Sequence, residues 1–251
     1  GFGAPQSNFA MESQIDIIAE KLGIDKLEIR RRNATREGDV GVFGVKIPGS
    51  IGIHETLEVA SKSDLWLHRD AHKDEPSEPW CKRGVGIACA LKGFTFGALP
   101  DFGAASITLN EDGSFDVGVS CPDMGQGNVT AYAQIAAEAL RCRFEEVHVA
   151  FADTELAPDT GSSSASRSVY VGGNAIIRAA EKMRSLLISY AAQVLGLSEG
   201  DLECRESAVV VQHDPSRSAS YASLARHAQS NGDQTHVEAG FEVPRFERPV
   251  E

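Results

Sequence analysis

Asp123 to Leu140, DMGQGNVTAYAQIAAEAL, opens as a small-residue loop and turns near Asn128 into a helical pattern. Pro158 to Ala175, PDTGSSSASRSVYVGGNA, has the same design. Gly125, Gln126 and Gly127 sit just before a helix start. Their backbone N–H groups are expected to be free, and with the positive helix end they suit a phosphate or other anion. Ser162 to Ser166 add hydroxyls and further unhindered N–H groups. Two such loops in one chain imply one polar, anionic ligand held from two sides.

Working outward, Ala104–Asn110 and Ser114–Val119 flank Glu111-Asp112-Gly113, a hairpin signal. Asn128–Arg141 follows as a helix, with Ala131, Ile135, Ala139 and Leu140 expected on one face. Residues 147–152 form a strand and Gly173–Leu195 a long helix ending near Gly196. Leu202–Gln212 is expected as a single strand, and Tyr221–Gln229 as a short helix capped by Ser220. Beyond Asn231 the signal fades. Toward the N-terminus, residues 8–33 form an amphipathic helical region interrupted by Gly23 and closed by Arg30, Arg31 and Arg32. His54–Leu67 is a second short helix, and residues 82–91 (KRGVGIACAL) a strand. The expected fold is α+β: a mixed or antiparallel sheet with helices on one face, preceded by a helical N-terminal segment. Its expected parts are residues 1–67 (helical), 68–80 (polar linker), 81–240 (α+β domain) and 241–251 (polar tail).

The chain has 251 residues, a net charge of −12, 42% hydrophobic and 24% charged residues, ordinary values for a globular protein with a substantial core. The negative charge argues against nucleic acid or an anionic membrane as partner. No apolar run is long enough for a membrane span, and no signal peptide is evident. The five cysteines lack CxxC spacing, which disfavours a zinc ribbon or cysteine-bound cluster and fits reduced thiols in a cytoplasmic protein. The seven histidines show no metal-site spacing. The first residue is not Met and the chain closes on EVPRFERPVE, so an internal piece of a longer polypeptide is expected.

Several side chains keep two readings. Met124 packs in a core or faces a ligand. The serine run is a flexible linker or ligand-binding backbone in a strand-to-helix connection. Arg167 pairs with a ligand anion or a protein carboxylate. Phe2, Phe94 and Phe96, each beside glycines, are core aromatics or gates beside a planar substrate. No general base follows from spacing.

Four motifs, GFGAPQ with the helical stretch after it, RGVGIA, DMGQG-x-x-T with QIAAEAL, and PDTG with SASR and GGNA, together resemble the molybdenum-binding subunit of the xanthine dehydrogenase and aldehyde oxidase family. The resemblance extends to about residue 195. It implies hydroxylation of an aromatic heterocycle or an aldehyde, with water as oxygen source. The implied cofactor is molybdopterin carrying molybdenum, with the cytosine dinucleotide as its expected form. Implied partners are an iron–sulfur and an FAD subunit or domain, and a small planar substrate. By the same resemblance Phe2 and Phe96 contact substrate. Gly3, Met124, Gly125, Gln126, Gly127, Ser163, Ser164, Ala165 and Ser166 contact the cofactor. No residue here matches the family's catalytic Glu or its upstream glycine-rich loop, so the 251 residues alone are expected to be inactive and to hold cofactor weakly or not at all. The alternative is a non-catalytic scaffold or partner-binding paralogue of the same fold.

Overall fold

A computed structural model describes residues 3–41, 44, 46–47, 51–73, 78–90, 101–151 and 153–244. The chain divides into two compact units, residues 1–92 with 246–251, and residues 93–245.

In the first unit α1 (Ala4–Leu22) begins with Pro5 in its first turn and ends at Gly23, whose φ of 63° is the left-handed C-cap that glycine supplies. Asp25 caps α2 (Lys26–Asn33), accepting from the N–H groups of Leu27 and Glu28. The two helices are locked by Arg30, whose buried guanidinium meets Glu12 at 2.6 Å and Asp16 at 2.9 Å. The expected helix over 54–67 is two pieces, α3 (Ile53–Ser61) and α4 (Asp64–Leu67), because Ser63 starts a new helix by accepting from Trp66 N–H. A further short helix, α5, spans Arg69–Lys73.

The expected strand over residues 82–91 is corrected: residues 82–90 form no ladder among the described residues. Val85, Ile87 and Cys89 are half-buried and alternate with exposed neighbours, so the period of two is present. Alternation makes an extended segment one-sided; a strand also needs a partner for its N–H and C=O groups.

The second unit carries the predicted hairpin. β1 (Phe102–Leu109) pairs antiparallel with β2 (Phe115–Val119), Ile107 opposite Val117. Gly113 in the turn has φ 88°, and a Cβ there would lie 2.5 Å from the Ala222 nitrogen, so both torsion and space demand glycine. From β2 the chain passes through α6 (Asn128–Leu140) into β3 (Val147–Phe151), parallel to β2. α7 (Gly173–Leu195) follows and ends, as expected, at Gly196.

A smaller antiparallel sheet comprises β4 (Leu202–Arg205), β5 (Ala208–Val211) and β6 (Asp214–Ser220). The single strand expected over 202–212 is therefore a tight hairpin. Its turn residues Glu206 and Ser207 both have positive φ, 47° and 62°, without the Asn-Gly signal that usually marks such turns. Tertiary bonds hold it instead: Ser207 N–H donates to Arg141 O at 2.9 Å, and Ser207 O accepts from Tyr221 N–H at 3.0 Å.

α8 (Tyr221–Asn231) is capped by Ser220 as expected. β7 (His236–Glu242), where no element was expected, pairs antiparallel with β1 and completes a mixed sheet ordered β3-β2-β1-β7. Arg178 and Lys182 of α7 donate to the β7 carbonyls of Gly240 (3.0 Å) and Glu238 (2.8 Å). Val243 N–H bonds Asp101 O, so these even-numbered carbonyls point away from β1 and the sheet edge is sealed by basic side chains.

The expected α+β architecture holds. α6 packs on β3, α7 on β1 and β7, and the helices on each other. The core joins Ile107, Leu109, Phe115 and Val117 to Ala136 and Leu140 of α6 and Ile176, Ala180 and Met183 of α7. One expectation shifts: the buried face of α6 is Asn128, Tyr132, Ala133, Ala136, Ala137 and Leu140, while Ala131, Ile135 and Ala139 flank it. The two stripes are adjacent on the wheel, and a helix of alanines gives little contrast to tell them apart. No helix among the described residues is long and apolar enough to cross a membrane.

Candidate functional site

β2 and β3 run parallel, so the segments that follow them leave from the same end of the sheet. These segments are the two glycine- and serine-rich loops. Their roots are tied where Ser120 Oγ accepts from Thr160 N–H at 2.8 Å and hydrogen-bonds the Thr160 hydroxyl. Gly103 and Gly118 let the second segment lie close on the sheet: a Cβ on Gly118 would reach within 2.5 Å of Leu156 O, and one on Gly103 within 2.7 Å of Val171. The structure thus brings together Met124–Gly127 and Ser163–Ser166. Gly3, N-cap of α1 with φ 82°, belongs to the other unit. Phe2, Phe94 and Phe96 lie outside the described residues.

The first loop corrects the expectation of free N–H groups. Asp123 accepts from Gly125 N–H (2.9 Å), Gly127 N–H (3.3 Å) and Val129 N–H (3.0 Å), so its carboxylate already occupies the anion position at the start of α6. The Val129 and Gly125 N–H groups hold this carboxyl below its ordinary value of 3.8. Gln126, which by resemblance contacts the cofactor, spends its side-chain amide locally: Oε1 accepts from Met124 N–H at 2.6 Å and Nε2 donates to Pro122 O at 2.9 Å. Met124 is 73% exposed, which excludes core packing within this unit. Gly125 and Gly127 have φ 103° and 82°, and a Cβ on either would meet open space.

The second loop is the reverse. Ala165 and Ser166 both adopt the left-handed region, φ 49° and 54°, rare for residues with a Cβ. Among the described residues no acceptor stands in hydrogen-bonding geometry to the N–H groups of Ser163, Ala165 or Ser166. Successive N–H groups in such a conformation form a small concave cradle for an anion or a carbonyl oxygen. The hydroxyls are partly paired, Ser163 with Ser168 at 3.0 Å and Ser162 with Ser164 at 3.2 Å.

Arg167 holds this shape from below. Its side chain is 1% exposed, and its Nε meets Asp101 Oδ1 at 2.6 Å. The guanidinium also donates to the carbonyls of Thr160 (2.7 Å), Ser162 (2.7 Å) and Phe102 (2.6 Å). The protein carboxylate is therefore its partner, and the serine run is built structure, not a linker. Immediately after it Ser168–Gly172 form one π-turn leading into α7. Such turns recur at functional sites.

Asp123 and Asp101 lie outside the sequence expectations for the site. Asp123 had a usable signal, an Asp just before a glycine-rich helix start. Asp101 had none, because it lies 66 residues from Arg167. A groove of about 1300 Å³ lies at the opposite end of α6 and is lined by Arg141, Cys142, Cys204 and Tyr221 among others. Burial pushes the Cys142 thiol up to about 12, so it offers no thiolate nucleophile. Among the described residues no three His, Cys, Asp or Glu side chains are grouped to hold a metal ion.

Comparison with known proteins bears on this site. Residues 58–249 and 1–34 match family models described as molybdopterin cofactor-binding domain. The chain is 35% identical over 217 residues to the xanthine dehydrogenase molybdenum-binding subunit of Escherichia coli O157:H7, covering 86% of this chain and 29% of that one. It is 34% identical over 186 residues to the aldehyde oxidoreductase of Megalodesulfovibrio gigas, 73% of this chain and 20% of that protein. The solved aldehyde oxidoreductase from Desulfovibrio gigas superimposes with a TM-score of 0.76 at 27% identity, over 97% of this chain and 24% of that one. The chain thus spans less than a third of the length of these relatives.

Two outcomes follow from the geometry. Arg167→Met strands Asp101 in the interior, and the stability measured by urea denaturation is expected to fall by about 3–5 kcal/mol; a loss under about 1 kcal/mol would mean the pair is not buried in solution. Asp123 titrates lower in the folded chain than in the unfolded one, so its stabilisation is complete above the ordinary value of 3.8 and is lost as pH falls through the depressed value. The stability gap between the wild type and Asp123→Ala should stay constant above about pH 5 and close toward about pH 2. A gap that widens in acid would contradict the capping role.

Proposed function

This chain belongs to the molybdopterin cofactor-binding family, and from that premise we propose that its two loops hold the pterin and phosphate of a molybdenum cofactor in a larger oxidoreductase. The open N–H groups of Ser163, Ala165 and Ser166, set on the buried Arg167, are the observation that carries this proposal. They fit a ligand rich in oxygen acceptors. Ser163, Ser164, Ala165 and Ser166 form the polar side of the cradle. Met124, Gly125, Gln126 and Gly127 supply a stiff, exposed wall whose glycines let a ligand approach the backbone. Gln126 and Asp123 act by holding that wall in shape.

When bound, the cofactor supplies the two-electron oxidation of a substrate carbon with water as oxygen source. The chain's own residues bind and orient; none of them moves the proton, and the catalytic Glu is assigned to polypeptide outside these 251 residues. The proposed substrate is a planar heterocycle or an aldehyde, with Phe2 and Phe96 against its faces and Gly3 near the metal. We assign the cofactor the cytosine dinucleotide form, and iron–sulfur and FAD subunits or domains as electron acceptors. Residues 1–67 would complete an upstream molybdopterin-binding domain. In support, Met11, Ile18 and Leu22 form an exposed apolar stripe along one face of α1 that such a domain would cover.

The test is elemental analysis of molybdenum and assay of released pterin in the full-length parent. About one molybdenum per chain is expected in the wild type, with a several-fold loss in Gln126→Ala at unchanged secondary structure. Unchanged content in Gln126→Ala would remove the first loop from the site. A parent without molybdenum or pterin would favour a non-catalytic scaffold.

A further inference from the structure

The ladder between β2 and β3 ends at Val119 and Phe151. Beyond it both loops leave the sheet, and their spacing needs another tie. Ser120 is the first residue past β2, and Thr160, fully buried, lies 40 residues further along the chain. Among the described residues, no hydrogen bond other than those of the Ser120–Thr160 pair joins residues 120–127 to residues 153–166.

Thr160 is fixed on three sides. Its N–H donates to Ser120 Oγ at 2.8 Å, and the two hydroxyls hydrogen-bond each other. Its carbonyl accepts from Arg167 at 2.7 Å. Its methyl lies over Gly103, where an added Cβ would come within 3.4 Å of it. One residue therefore meets the root of the first loop with its donors and the anchor of the second with its acceptor. Each loop is stiff in itself, the first through Asp123 and Gln126, the second through Arg167. The relative placement of two stiff bodies is decided where they are joined.

We propose that the Ser120–Thr160 pair is that joint: it sets the gap between the exposed wall Met124–Gly127 and the donor cradle Ser163–Ser166. Ser120 is then a positioning residue for the ligand seated between the loops. It acts through Thr160 and the two loops. This rests on the cofactor assignment above. Without the Ser120 hydroxyl, Thr160 keeps a buried N–H and hydroxyl with no acceptor, and the gap is no longer fixed.

The experiment is Ser120→Ala in the full-length parent, with two readouts: the rate of pterin release from loaded protein on dilution, and the melting temperature of protein from a host unable to make the pterin. Tyr190→Phe is the control. It removes a buried hydrogen bond to Gln234 O (2.6 Å) at a point about 25 Å along α7 from Gly173. Both variants should melt lower than wild type. Ser120→Ala is expected to release pterin about five-fold faster, the scale of one hydrogen bond, and Tyr190→Phe at the wild-type rate. If Ser120→Ala does not fold, Thr160→Val is read in its place; it keeps the N–H bond, loses the hydroxyl, and should release pterin about two-fold faster. Release at the wild-type rate would overturn the proposal. Equal acceleration in Tyr190→Phe would also overturn it, since the effect would then be general loss of stability. If the wild-type parent carries no pterin, the cofactor assignment fails first and this proposal falls with it. A loaded wild type whose Ser120→Ala variant releases pterin no faster overturns this proposal alone.

Discussion

Arg167 and Asp101 sit buried beneath the second loop, and most of the site's geometry depends on that ion pair. The guanidinium joins the start of β1, through Phe102 O, to the loop carbonyls of Thr160 and Ser162. A loop with its carbonyls drawn down to a buried cation turns N–H groups the other way. The consecutive left-handed residues Ala165 and Ser166 then follow, a conformation that survives only where its surroundings over-determine it. The fork of donors on arginine suits this task better than a lysine would.

The two loops differ in how they treat the same opportunity. At the start of α6 the protein supplies its own anion, the Asp123 carboxylate, and stitches Gln126 back to Pro122 and Met124. The outcome is a rigid wall with exposed glycines. At the serine loop the N–H groups of Ser163, Ala165 and Ser166 have no acceptor among the described residues. The first loop contributes shape and the second contributes hydrogen-bond donors. Both stand at the C-terminal ends of adjacent parallel strands, where open sheets commonly hold ligands.

Much of this was readable from residue pattern. The hairpin at Gly113, the caps at Gly23, Gly196 and Ser220, and the long helix α7 follow from local chemistry and are found in place. The resemblance to the xanthine dehydrogenase and aldehyde oxidase family, carried by the order of its motifs, led to the molybdopterin-binding family that the comparisons support. What was missed depends on distant partners. The Glu206-Ser207 turn is stabilised by Arg141 and Tyr221, not by its own residue types. Residues 82–90 alternate as a strand would but form no ladder among the described residues. β7 alternates clearly, with Val237, Ala239 and Phe241 inward, but its exposed charges and short length hide it in a polar sequence. The N–H groups of the first loop look free by residue type alone, because Asp123 belongs to the same glycine-rich motif that it caps.

Amide hydrogen exchange of the full-length parent, with and without bound pterin, tests the central claim most directly. Ser163, Ala165 and Ser166 should exchange rapidly in the cofactor-free protein and become strongly protected when cofactor is bound. Gly125 and Gly127, already bonded to Asp123, should be protected in both states. Equal exchange at Ser163–Ser166 with and without cofactor would contradict the assignment of that loop as the ligand's hydrogen-bonding cradle.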